Sequence, residues 1–234
     1  DLKLYLYLYG RRPAFVNLFL QREDIKKEIA SISVKLYEYV TEKKVKVQPP
    51  MEDIFNAFKG ITKWNIRVVI VGQDPTPIPG EATGIAFSLK QNSNPTSVST
   101  GNILKLLDRH GYKVNMKSGD LTSWAKQGVL LLNSALTITV KLSDSDWHQT
   151  LWKNFTEELI KHISEKTEKN IVWMLWGQKA KNFRHFIQER HLVLEGVHPS
   201  PNNGDKFAEQ NDFFKEANTF LEKNGREKIN WNLA

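Results

Sequence analysis

The chain of 234 residues contains no cysteine. That absence excludes disulfides, thiolate metal sites and a cysteine nucleophile together. Its six histidines are scattered, with no His-x-x-x-His pair and no carboxylates at ligand spacing, so neither a metal site nor a metal cofactor is expected. No apolar run approaches the roughly 20 residues needed to span a bilayer, so no membrane partner is expected. The opening residues, Asp1-Leu2-Lys3-Leu4-Tyr5-Leu6, lack a charged n-region, an apolar core and a cleavage site, and a signal peptide is not expected. Internal repeats, low-complexity tracts and interdomain linkers are also missing, and residues 1–234 read as a single domain.

The composition that remains, 40% apolar and 25% charged, is that of a globular protein able to bury a substantial core. Its charge is less ordinary: 33 basic against 26 acidic side chains leave a formal net charge of +7. Such a balance favours an anionic partner, nucleic acid first. Lys and Arg are spread widely, however, so charge alone marks no site.

Residues 14–46 carry apolar side chains at helical spacing, among them Phe15, Phe19, Ile25, Ile29, Ile32, Leu36 and Val40, and predict one or two helices. Pro49-Pro50 stops them, and a short helix is expected around Met51 to Phe58. Strands and helices then alternate. The strands are Arg67 to Gly72, Gly128 to Leu132, Ile171 to Trp176 and Leu192 to Val197; the helices are Thr100–Arg109, Leu151–Ser164, Lys179–Gln188 and Glu209–Asn224. This alternation predicts a three-layer α/β/α fold, with a central, mostly parallel four-stranded sheet and an N-terminal helical portion. The strictly alternating Leu2-Lys3-Leu4-Tyr5-Leu6-Tyr7-Leu8-Tyr9 reads as an added edge strand or as a partner-bound arm within residues 1–10.

Each strand runs into polar residues, and ligands of open α/β sheets bind beyond the carboxyl ends of the strands. The first strand leads to Gln73-Asp74-Pro75-Thr76-Pro77, a loop stiffened by proline that either holds the Asp74 carboxylate for chemistry or uses it to cap a turn. Phe87, after a Gly-rich bend, is either an aromatic platform or an ordinary core residue. Asn133 ends the second strand and either reads a ligand edge or caps the strand. His198 opens the rigid His198-Pro199-Ser200-Pro201 and is either a donor to developing negative charge or a satisfied structural histidine. Taken together, different functional side chains at successive strand ends predict a single catalytic pocket.

These segments resemble the uracil-DNA glycosylases, the family that includes the bacterial and human enzymes. The likeness rests on Gly72-Gln73-Asp74-Pro75, on the 14 residues from Asp120 to Asn133, on Leu175-Trp176-Gly177 and on His198-Pro199-Ser200-Pro201. It runs from about residue 15 to the end of the chain. It implies a monofunctional glycosylase that hydrolyses the N-glycosidic bond of uracil in DNA, single-stranded or duplex, during base-excision repair. Such an enzyme works without a cofactor and wherever the cell keeps DNA. By the same resemblance, Asp74 activates the attacking water and His198 stabilises the departing base. Gln73, Thr76, Phe87 and Asn133 surround the uracil, while Ser88, Ser99, Gly177, Gln178, Ser200 and Asn202 contact the DNA.

This chain departs from the family at two places. Thr76-Pro77 stand where the family usually has Tyr and His, and the missing tyrosine would open the C5 side of the pocket to thymine or another C5-modified pyrimidine. Asn202-Asn203-Gly204 stand where a leucine normally enters the base stack. Either Phe207 takes that role, or flipping from duplex is less efficient and single strands are preferred. The departures also leave room for a weakly catalytic DNA-binding or processivity module.

Overall fold

The structure is a computed structural model that describes residues 18–90, 93–95, 99–140 and 143–233. The alternating segment 2–9 lies outside the described residues. Four stretches of five residues, every one of the first three wholly buried, form the central sheet: β2 (Val68–Gly72), β3 (Val129–Asn133), β5 (Val172–Trp176) and β6 (Leu192–Gly196). Their order is β3-β2-β5-β6 and all pairs are parallel. The near-continuous apolar runs arise because such a sheet is covered on both faces.

Side chains leave a strand alternately to its two faces, and the core divides accordingly. Val69, Val71, Leu130, Leu132, Trp173 and Leu175 pack with Ile25, Ile29 and Ile32 of α1 (Glu23–Lys43) and with Trp152, Phe155 and Leu159 of α4 (Ser145–Lys166). Val68, Ile70, Leu131, Val172, Met174 and Trp176 pack with Ile103 and Leu107 of α2 (Ser99–Arg109) and with Phe214 and Leu221 of α7 (Phe213–Lys223). The result is the expected α/β/α layering. Among the described residues, no helix is long and apolar enough to cross a membrane.

Several elements differ from expectation. A two-stranded antiparallel sheet joins β1 (Val47–Gln48) to β4 (Ile138–Thr139), each too short to leave a pattern in sequence. The short α3 (Thr122–Ala125) and α6 (Gly204–Ala208) also lack a repeat long enough to read. The Met51 to Phe58 helix is instead two 3₁₀ turns, Met51–Asp53 and Asn56–Phe58. The Lys179–Gln188 helix is α5 (Gln178–Lys181) followed by a 3₁₀ turn, Arg184–Phe186. Its apolar residues Ala180, Phe183 and Phe186 recur every three residues, the period of 3₁₀ rather than α; the matching bonds run from Phe183 N to Ala180 O and from Phe186 N to Phe183 O. α7 starts at Phe213 rather than Glu209 because the Asp212 carboxylate caps it, accepting from Lys215 N at 2.9 Å.

Candidate active site

The carboxyl ends of the sheet gather the predicted residues. β2 delivers Gln73 and Asp74, β3 ends on Asn133, β5 leads into Gly177 and Gln178, and β6 leads through Val197 to His198. From β2 the chain proceeds to β3 on one side and later returns to β5 on the other, and such a switch of direction opens a crevice at the strand ends. A cavity of about 270 Å³ occupies it, lined by Gln73, Asp74, Thr76, Phe87, Asn133 and His198 together with Ser88 and Ser99.

Asp74 is half-buried, and its carboxylate is held from outside its own loop. Oδ2 accepts from Ser145 Oγ, the first residue of α4, and from Gln73 Nε2 at 3.3 Å. Gln73 Nε2 also donates to Ser145 Oγ at 3.2 Å. The Gln73 carbonyl accepts from Ser134 Oγ at 2.8 Å, from Gln149 Nε2 at 2.6 Å and from Ala135 N at 2.9 Å. Beyond Asp74, the buried Gln48 carboxamide pins the loop: Nε2 donates to the carbonyls of Thr76 and Ile78, and Oε1 accepts from Gly80 N at 3.1 Å. The prolines are therefore only part of what stiffens it.

Asn133 and Phe87 converge over Gly72. A Cβ at Gly72 would sit 2.4 Å from Asn133 Oδ1 and 3.4 Å from Phe87 Cε2, so only glycine admits both side chains there. Asn133 is buried, yet its carboxamide makes no hydrogen bond to the described residues and lines the cavity. Phe87 has φ +62°, a left-handed conformation that costs a non-glycine residue about 1–3 kcal/mol and concentrates at functional sites. Surrounding bonds impose it: Thr100 Oγ1 donates to the Phe87 carbonyl, and Ala86 N donates to Leu131 O at 3.0 Å. The Phe87 ring lies 5.8 Å from Trp176 and 6.5 Å from His198, between centroids.

His198 rests on Gly177, whose φ of +89° and lack of a side chain let the imidazole approach; a Cβ there would meet His198 Cβ at 2.8 Å. Ser200 N donates to His198 Nδ1 at 3.0 Å, so the neutral ring carries its proton on Nε2. Burial lowers the His198 pKa below its usual value, against the attraction of Asp74 and with the help of Lys179. The loop is fastened by the buried Asn102, which donates to the carbonyls of Pro199 at 2.9 Å and Ser200 at 3.1 Å.

Of the other predicted residues, Ser88 and Ser99 line the cavity and Gly177 supports His198, whereas Ser200, Gln178 and Asn202 are not among its lining. Ser99 is half-buried at the start of α2. Ser88 is buried, and its hydroxyl accepts from Leu121 N at 3.0 Å while keeping its own proton to donate. Ser200 Oγ accepts from Asn203 Nδ2 at 3.2 Å. Gln178 is exposed and donates to Asn182 Oδ1 at 3.0 Å. Asn202 is exposed in the 3₁₀ turn Pro201–Asn203. Phe207 cannot serve as the apolar wedge: it is 0% exposed and packs edge-on against Trp176, with centroids 5.2 Å apart. No local pattern marks Ser145 or Gln48, because each reaches the site from an element distant along the chain. The arrangement suits a flat heterocycle, with a ring face to stack on, a carboxamide for its edge, an N–H donor and a carboxylate.

Known proteins resemble this chain in sequence and in fold. Residues 58–222 match the model of the uracil DNA glycosylase superfamily. Uracil-DNA glycosylase 1 of Bacteroides fragilis is 41% identical over 191 residues, covering 80% of this chain and 84% of that protein. The uracil-DNA glycosylase of Campylobacter jejuni is 39% identical over 220 residues, covering 92% of each. The crystal structure of mimivirus uracil-DNA glycosylase superposes with a TM-score of 0.86 at 28% identity, covering 98% of this chain and 89% of the other. A variant of that viral protein was solved in complex with UGI. With a family model matched over most of its length and relatives near 40% identity, this chain belongs to the uracil DNA glycosylase superfamily.

Proposed function

We propose that the protein is a monofunctional DNA glycosylase that removes uracil from DNA, the first step of base-excision repair. The observation that carries this reading is the convergence of Asp74, Asn133, His198 and Phe87 on one cavity of about 270 Å³. A base inside a duplex is out of reach, so the nucleotide is extruded into this cavity, at a cost of a few kcal/mol for unstacking. Phe87 stacks on the base. The Asn133 carboxamide offers an acceptor and donors that match the adjacent carbonyl and N–H of uracil, whereas cytosine presents the opposite pattern.

Breaking the glycosidic bond sends its electron pair to the base and leaves positive charge on the sugar. The Asp74 carboxylate faces that positive charge and orients the water that attacks the anomeric carbon. His198, neutral with its proton on Nε2, donates a hydrogen bond to the departing uracil anion. Ser88, Ser99, Gly177, Gln178, Ser200 and Asn202 line the path of the DNA backbone around this centre. No cofactor enters the scheme.

The test is uracil release from single-stranded and duplex oligonucleotides by wild type and Asp74→Asn. The expected loss in the variant is about 10²- to 10⁴-fold. A folded wild type that releases no uracil from single strands refutes the proposal, and salt-dependent DNA binding without release would instead identify a DNA-binding module. Because Asn202 is polar and Phe207 is buried, single strands are the better substrate on this reading.

A second reading concerns substrate range. Thr76 is half-buried in the cavity wall, and it is far smaller than a tyrosine. Thymine or another C5-substituted pyrimidine is then accepted alongside uracil. Thr76→Tyr should abolish thymine release while sparing uracil; equal thymine release by both proteins refutes the role given to Thr76.

A further inference from the structure

We infer that Ser145 is a positioning residue for Asp74. Its hydroxyl holds Oδ2 of the carboxylate and leaves Oδ1 to face the attacking water. The inference rests on the role given to Asp74 in the proposed function.

Ser145 is the first residue of α4, one position past the Asp144 N-cap, so its hydroxyl is not the capping group of the helix. Among the described residues, Ser145 Oγ donates to Asp74 Oδ2 and otherwise meets only Gln73 Nε2, at 3.2 Å. Because the carboxylate has no proton to give, the hydroxyl must be the donor in the pair. That leaves Gln73 Nε2 to donate to Ser145 Oγ and, at 3.3 Å, to Asp74 Oδ2. Both donors approach the same carboxylate oxygen.

α4 grips the strand end at two points. Gln149 lies one turn beyond Ser145 on the same helix face, and its Nε2 donates to the Gln73 carbonyl at 2.6 Å. Ser134, next to Asn133, shares its one hydroxyl proton between the Gln73 carbonyl at 2.8 Å and Gln149 Oε1 at 2.9 Å. The start of α4 is itself anchored. Asp144 accepts from Tyr39 OH at 2.9 Å, and the Tyr39 ring stacks on Trp147 at 3.8 Å. A carboxylate at the tip of a loop rotates about its side-chain bonds unless something outside the loop stops it. Ser145 is placed on a rigid element to do so, and a small misplacement of a reacting group is costly in rate.

Single-turnover uracil release from a single-stranded oligonucleotide tests this, together with DNA affinity and thermal unfolding for each protein. Ser145→Ala should slow the reaction about 10- to 100-fold, with affinity and melting temperature near wild type. Ser145→Thr, which keeps the hydroxyl, should recover most of the rate. In an Asp74→Ala background, Ser145→Ala should change the rate by no more than about twofold, since the group it positions is gone. The inference is overturned if Ser145→Ala turns over like wild type. It is equally overturned if its loss appears in affinity or melting temperature instead, or persists undiminished in the Asp74→Ala background. A folded but inactive wild type would refute the reading of the whole site, whereas an active wild type matched by Ser145→Ala refutes only the positioning role.

Discussion

Replacing Gln48 with leucine separates two sources of rigidity in the loop that follows Asp74. Pro75, Pro77 and Pro79 restrict its backbone from within, while the Gln48 carboxamide, 4% exposed, ties it to β1 from outside. Leucine preserves most of the volume and the backbone pairing of Gln48 with Ile138, and removes three side-chain hydrogen bonds, to Thr76 O, Ile78 O and Gly80 N. At a net 0.5–1.5 kcal/mol each, the loss is about 1.5–4.5 kcal/mol. Thr76 and Ile78 are half-buried and Gly80 is exposed, so water reaches the abandoned groups and a value in the lower part of that range, about 2 kcal/mol, is expected. A domain with about 5–15 kcal/mol of stability survives that change. Urea unfolding followed by tryptophan fluorescence should report it as a lower midpoint at unchanged slope. The loosened loop carries Thr76 and adjoins Asp74, so kcat/KM for uracil release should also fall, by about tenfold if some 1.4 kcal/mol of transition-state positioning is lost. A stability change under about 0.5 kcal/mol together with unchanged kcat/KM would refute the reasoning: the prolines alone would then hold the loop.

Three other outcomes follow from the same structure. Burial lowers the pKa of His148 and of His191 from 6.5 to about 4, opposed in the first by Asp144 and in the second by a bond to the Ser164 carbonyl. The unfolded chain therefore takes up protons that the folded chain refuses, and stability present above pH 6.5 is lost as the pH falls toward 4, by roughly 3 kcal/mol per histidine; urea midpoints equal at pH 7.5 and pH 5 would contradict this. Lys179 helps to lower the pKa of His198, so Lys179→Ala should raise it, as followed by NMR titration of the imidazole, and an unchanged or lower value would exclude that coupling. Gly72→Ala would place a methyl group 2.4 Å from Asn133 Oδ1 and displace the carboxamide; uracil release should drop about 10- to 100-fold with the fold retained, and a fully active variant would remove Asn133 from base reading.

The strand ends were readable because a parallel strand buried on both faces is written as consecutive apolar residues that stop abruptly. Val68-Val69-Ile70-Val71 ahead of Gln73-Asp74, and Val129-Leu130-Leu131-Leu132 ahead of Asn133, are such runs, and all of their apolar residues are buried. The start of α4 was not readable in this way. Ser143-Asp144-Ser145-Asp146 has the composition of a solvated loop, and what makes it the beginning of a 22-residue helix is tertiary: Tyr39 on Asp144, Asp74 on Ser145 and Lys179 on Asp146. The same holds for Gln48, an ordinary polar residue in sequence whose partners lie 28 to 32 residues away. Local pattern thus revealed the residues that end strands, and the residues that hold them in place became visible only through contacts that no local pattern encodes.

That division has a consequence for how the site can vary. Gln73 and Asp74 leave β2 directly, Asn133 is the last residue of β3, and His198 is two residues beyond β6; the ladder that pairs Gly72 with Asn133 and Trp176 with Gly196 fixes where all of them begin. Moving any of them means moving the sheet, whose strands are closed into two packed cores. Thr76, Pro77 and Asn202 stand further along their loops, half-buried or exposed, and no core packing depends on them. Substitution at Thr76 or Pro77 changes the wall of the cavity, substitution at Asn202 changes an exposed turn, and either costs the fold little. Thr76-Pro77 and Asn202, the positions read in the sequence as departures from the resemblance, therefore lie where the architecture tolerates change, and substitution there leaves the arrangement of Asp74, Asn133 and His198 undisturbed.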